Sequence, residues 1–187
     1  MELGGDYPAC DSETWVAGRR GAPWTKPEFG FIKVNTNAAW CKNTLRMGVG
    51  WVCHDFAGMI QAVGGSGTGL CHSAAAGEAY AIREAILACT NLGFNKIIIE
   101  FDTKSIIKML RKELPDFSLD CILGDIEVLA CRLTSVSFAS MSKESNSAAH
   151  SVAKYVFKQS QEFIWDCIGP DFLFNTLAKD VNISMRI

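Results

Sequence analysis

Residues 96–107, KIIIEFDTKSII, mark the point where the chain changes its pattern. Lys96 to Phe101 is a short apolar run of strand type, rich in β-branched residues. Asp102 directly follows it, and from Thr103 to Arg111 the apolar residues take helical spacing. A strand that passes straight into a helix begins an alternating α/β arrangement, so everything upstream has to be compatible with a sheet that this strand can join.

The upstream segments meet that requirement. Phe29–Ala38, Met47–Cys53 and Met59–Val63 read as strands, and HDFAG at 54–58 supplies a hairpin turn between the last two. They predict an antiparallel meander. A helix follows from Ala74 to Asn91, with Glu78, Ile82, Ala85, Ile86 and Cys89 on one face and Gly93 at its end. Beyond the switch, Leu119–Ala130 reads as a helix, Leu133–Ala139 as a strand and Ser145–Gln161 as a closing helix. The order βββαβααβα predicts an α/β domain over residues 27–161, with a mixed five-stranded sheet and helices on both faces. Residues 1–26 hold Gly4, Gly5, Gly18, Gly21 and Pro23 without sustained periodicity and read as a flexible N-terminal tail. Residues 162–187 form a C-terminal extension whose structure the pattern does not fix.

Composition narrows the function classes. With 187 residues, 49% apolar and 20% charged, the chain suits one domain with a substantial core. A net charge of −2 and a pI near 5.9 give no global attraction to nucleic acid, so such a partner needs a local basic patch. The helix opening at Thr103 offers one: Lys104, Lys108 and Arg111 lie at i, i+4 and i+7, with Lys112 adjacent. The ordinary alternative is a solvated face balanced by Glu113 and Asp116. Trp40 and Trp51 suit either base stacking or packing. The eight cysteines contain no CxxC pair or metal-finger spacing and read as reduced core residues of an intracellular protein of the nucleus or cytoplasm. MELGGDYPAC has no basic region followed by an apolar block, and no run of eighteen apolar residues occurs, so neither secretion nor a membrane is expected. A monomer is the expected state.

Three polar residues fall where strand ends and a helix start should meet. Asn37 lies near the end of the first strand, Glu78 on the apolar face of its helix, and Asp102 directly after its strand. Ligands in open α/β sheets gather beyond strand ends, so a shared site of oxygen ligands is geometrically consistent. Each residue also has an ordinary reading. Glu78 suits a solvated rim near the helix N-terminus, Asp102 the N-cap of the helix at Thr103, and Asn37 a wet stretch of strand. His150 flanks the stripe of Ala149, Val152, Ala153 and Val156.

Taken together, four blocks resemble the ribonuclease H type 1 fold, in the reverse-transcriptase-like, retroelement-derived form common in plant genomes. They are KVNTNAAW at 33–40, GEAYAIREAI at 77–86, IIIEFDTKSII at 97–107 and NSAAHSVAK at 146–154. The resemblance covers about residues 24–161, and the last 23 residues are similar to the tail that follows such domains. It implies Mg²⁺- or Mn²⁺-assisted hydrolysis of the RNA strand of an RNA–DNA hybrid, with acidic side chains holding two ions. By position the site would be Asn37, Glu78, Asp102 and His150, with metal held by Glu78 and Asp102 and weakly by Asn37. Asn37 stands where the family has its bridging aspartate, which removes a full negative charge from ions that favour charged oxygen ligands. The expectation is a severely weakened or inactive nuclease on an intact fold. An inactive relic that binds nucleic acid, or only another protein, is the alternative.

Overall fold

In a computed structural model, residues 13–16, 24–167 and 169–174 are described. They form one seven-stranded mixed sheet with helices on both faces. The strands are β1 (Glu13–Val16), β2 (Ile32–Trp40), β3 (Arg46–His54), β4 (Ile60–Leu70), β5 (Lys96–Phe101), β6 (Ser135–Ser140) and β7 (Glu162–Trp165). The helices are α1 (Ala74–Asn91), α2 (Lys104–Leu110), α3 (Asp120–Ala130) and α4 (Ser147–Gln159). None of these helices is long and apolar enough to cross a membrane.

The spatial order is β1-β6-β5-β2-β3-β4-β7. β2, β3 and β4 form the antiparallel meander, and β5 pairs in parallel with both β2 and β6. The five expected strands are therefore the centre of the sheet, and a short strand lies at each edge. β1 pairs with β6 inside the stretch expected to be a tail, and β7 pairs with β4 inside the extension left unplaced. Four-residue strands carry too little alternation to stand out, and β1 is flanked by the glycines that suggested a tail.

Each face has its own core. On one side Ala79, Ile82, Ala85, Ile86 and Cys89 of α1, with Ile122 and Ile126 of α3, cover Val34, Trp51, Ile97, Ile99 and Phe138. On the other, Ala148, Ala149, Val152 and Val156 of α4 cover Val52 and Val63, joined by Leu173 from a 3₁₀ turn at Asp171–Leu173. α1 starts cleanly because the Ser73 hydroxyl accepts the Ala76 N–H at 3.1 Å. It stops at Gly93, whose φ of +78° a glycine adopts without strain.

Three glycines, Gly48, Gly50 and Gly67, set how closely α4 approaches the sheet. A Cβ on Gly50 would stand 2.5 Å from the Ala153 nitrogen, and one on Gly67 would overlap the Val156 carbonyl. Only a bare backbone lets this helix lie so low. Its start is tied to β2 as well: the Asn146 side-chain amide donates to the Thr36 carbonyl at 2.8 Å. The helix therefore begins at Ser147, after a 3₁₀ turn at Glu144–Asn146, two residues later than expected.

Candidate nucleic-acid site

Strand register brings the first two site residues together. The last β2–β5 pair is Asn35 with Glu100, and two residues further along both segments lie Asn37 and Asp102. Because β5 ends at Phe101 while β2 continues to Trp40, a space opens beyond β5 beside Asn37. α1 adds Glu78 from one face and α4 adds His150 from the other. Asn37, Glu78, Asp102 and His150 all line one cleft of about 540 Å³, with Ala38, Ala74, Ala75, Thr103 and Lys143.

The ordinary readings of three of these residues do not hold in this structure. Asn37 is only 3% exposed, not on a wet stretch of strand. Asp102 does not cap α2. That position belongs to Thr103, and Asp102 Oδ1 accepts the Thr103 hydroxyl at 3.2 Å. Glu78 is not a solvated rim carboxylate, since its Oε1 accepts the Ala38 backbone N–H at 3.3 Å while Oε2 is buried without a partner. Burial, with the Asp102 charge adding to it, pushes the Glu78 carboxyl up to about 8, against the opposing pull of the Ala38 N–H and Lys143.

The polar groups of the cleft are chained through Asn37. Its Nδ2 donates to Asp102 Oδ2 at 3.4 Å, and its Oδ1 lies 3.1 Å from His150 Nδ1. A carboxylate only accepts, so the amide must turn its nitrogen to Asp102 and its oxygen to His150. That places a hydrogen on His150 Nδ1. Burial and the charges of Lys154 and Lys143 lower the His150 pKa, with Asp102 acting in the opposite sense.

The same chain decides how the site suits the divalent ions that the resemblance implies. The unpartnered Glu78 Oε2 is a suitable oxygen, but Asn37 aims a donor, not a lone pair, at Asp102. No group of three or more His, Cys, Asp or Glu side chains among the described residues is arranged to hold a metal. The donors present do not fit a pair of divalent ions.

Other expectations divide. Lys104 and Lys108 are exposed on α2, whereas Arg111 lies 3.8 Å from Glu113, as the balanced-face reading had it. Trp51 is core at 4% exposure, and Trp40 donates to the Cys71 carbonyl at 3.0 Å. Sequence reasoning missed Thr103 and Lys143 as lining residues. Thr103 had been read as the first residue of a helix, and Lys143 lies in a loop where no periodicity marks it.

Comparison with known families rests on the same segments. A family model described as reverse transcriptase-like matches residues 35–156, which spans β2 through α4. The chain belongs to the reverse transcriptase-like family. Among solved structures, this family member is similar to RNase H1 from the halophilic archaeon Halobacterium salinarum, with a TM-score of 0.65 and 21% identity over 69% of this chain and 98% of that one. It is also similar to LC11-RNase H1, isolated from compost by a metagenomic approach, with a TM-score of 0.64 and 16% identity over 71% and 99% of the two chains. The same compost enzyme in complex with an RNA/DNA hybrid gives a TM-score of 0.63 and 15% identity over 69% and 98%. Curated protein sequences give no match. At these identities the structures establish the fold: this reverse transcriptase-like chain has a ribonuclease H-like α/β fold.

Proposed function

We propose that this chain is a nucleic-acid-binding ribonuclease H-like domain that takes an RNA–DNA hybrid and whose hydrolysis of the RNA strand is severely weakened or lost. The observation that carries this reading is the Asn37 amide nitrogen facing Asp102 at 3.4 Å, where a metal-dependent site needs another oxyanion. Support for the substrate class comes from the fold shared with a hybrid-bound RNase H1 and from the exposed Lys104 and Lys108 on α2, the helix that follows Asp102 and Thr103 of the cleft, which suit phosphate contacts. The resemblance to the plant, retroelement-derived group supports descent from a mobile element, and an intracellular monomer is the expected state.

The chain's own residues account for the loss. Asn37 holds Asp102 and His150 in one hydrogen-bonded row, and Thr103 occupies the other Asp102 oxygen. In this cleft Mg²⁺ or Mn²⁺ would find only Glu78 and Asp102 as carboxylate ligands, a set that would hold such an ion weakly. Losing one charged ligand of a catalytic clamp costs several kcal/mol of transition-state stabilisation, on the order of a thousandfold in rate.

The test is cleavage and binding of a labelled RNA–DNA hybrid with Mg²⁺ or Mn²⁺, comparing the native chain with Asn37→Asp. Expected are binding by both proteins and cleavage on the order of a thousandfold faster by the variant. A native rate near the variant's overturns the impairment, and absence of hybrid binding by either protein overturns the substrate class.

A further inference from the structure

Each carboxylate of the cleft already accepts a hydrogen bond. Asp102 spends one oxygen on the Thr103 hydroxyl and the other on the Asn37 amide, and Glu78 holds the Ala38 N–H while its second oxygen is buried. On the α4 side the cleft shows Lys143 and His150 to solvent, and of these Lys143 carries the positive charge, since the His150 pKa is lowered. Lys143 belongs to none of the ion pairs among the described residues. Its backbone is fixed nonetheless: its carbonyl accepts the Asn146 N–H at 3.2 Å, and the Asn146 side chain is anchored to β2 at Thr36. A flexible lysine side chain on a held backbone, at the mouth of a cleft where both Asp102 oxygens already have donors, suits an incoming anion.

We infer that the cleft takes a phosphodiester group of the nucleic acid without a bound metal ion, with Lys143 supplying the positive charge. This rests on the nucleic-acid-binding reading and gives that reading a residue. Asn37 contributes by holding Asp102 through its amide, so that a phosphate meets an occupied carboxylate and a free ammonium. A point charge on a long side chain is sufficient here, since positioning a phosphate asks less of geometry than ligating Mg²⁺ does.

The experiment measures hybrid affinity across a salt series, once with EDTA and once with Mg²⁺, for the native chain, Lys143→Ala and Lys96→Ala. Lys96 starts β5 and lies at the opposite end of that strand from the cleft, so it controls for the loss of one charge. Expected for the native chain is the same affinity with EDTA as with Mg²⁺. Lys143→Ala should bind about tenfold more weakly, with the log–log salt slope smaller by about one, and Lys96→Ala should match the native chain. Equal affinity and slope for Lys143→Ala and native, or native binding that requires Mg²⁺, overturns the inference while hybrid binding itself stands. A native chain that binds no hybrid overturns both.

Discussion

Asn37 uses both ends of its amide while only 3% exposed, so its substitution changes charge and hydrogen bonding together. Asn37→Asp exchanges a donor for an oxyanion opposite Asp102. Without metal at neutral pH, the variant should be less stable than the native chain by about 2 to 4 kcal/mol. Mg²⁺ should restore much of this loss in the variant and do little for the native protein, as urea titrations with and without EDTA would show. Glu78 predicts a separate pH effect. Its folded-state pKa of about 8 lies above the ordinary 4.5, so the folded chain holds the proton more tightly than the unfolded chain. Stability therefore falls as pH rises between about 4.5 and about 8, and above that window the penalty is on the order of 5 kcal/mol. Glu78→Gln should remove that slope, and denaturation at pH 5 and pH 9 would report it as a variant more stable than native only at the higher pH. These residues were legible because each sits inside a motif with its own periodicity. Lys143 was not, since its relation to the cleft depends on the Asn146 tether and on how low α4 lies.

At the level of elements, α4 and the β3–β4 pair are fitted to each other through missing side chains. Gly50→Ala would drive a methyl group against the Ala153 nitrogen at 2.5 Å, where the obstruction is backbone and cannot rotate away. We expect a loss of about 2 to 3 kcal/mol, read as a lower denaturation midpoint. Hybrid affinity should fall as well, because α4 carries His150 and its start adjoins the Lys143 loop. The same fit explains why β4 was read only to Val63. Gly64, Gly65, Gly67 and Gly69 look like strand breakers in sequence, yet the strand continues to Leu70 because Gly64 makes room for the Trp51 ring and Gly67 for the Val156 carbonyl. A residue that lowers strand propensity locally is required by packing that is distant in sequence.

For the whole molecule, the described part of the C-terminal extension, residues 162–167 and 169–174, is structural. Leu173 is fully buried against Val52, Val63, Val152 and Val156, and Tyr155 stacks on Phe172 at 4.5 Å between ring centroids. Leu173→Ala should cost about 2 to 4 kcal/mol, and a single cooperative urea transition at a lower midpoint would show that this stretch folds together with the sheet. The βββαβααβα core was readable because each of its elements is long enough to display a period. The two edge strands were not, being four residues each, with pairing that is decided by partners more than a hundred residues away for β1 and nearly as far for β7.

The placement of those two short strands bears on how the chain behaves among its copies. β6 and β4 would otherwise end the sheet with open rows of backbone donors and acceptors, templates onto which a neighbouring molecule could add a strand. β1 and β7 occupy those rows over only four residues each, and short edges offer a poor footing for intermolecular pairing. A chain shortened at either end would keep its central five strands and expose one of the templates, so its solubility would come to depend on concentration.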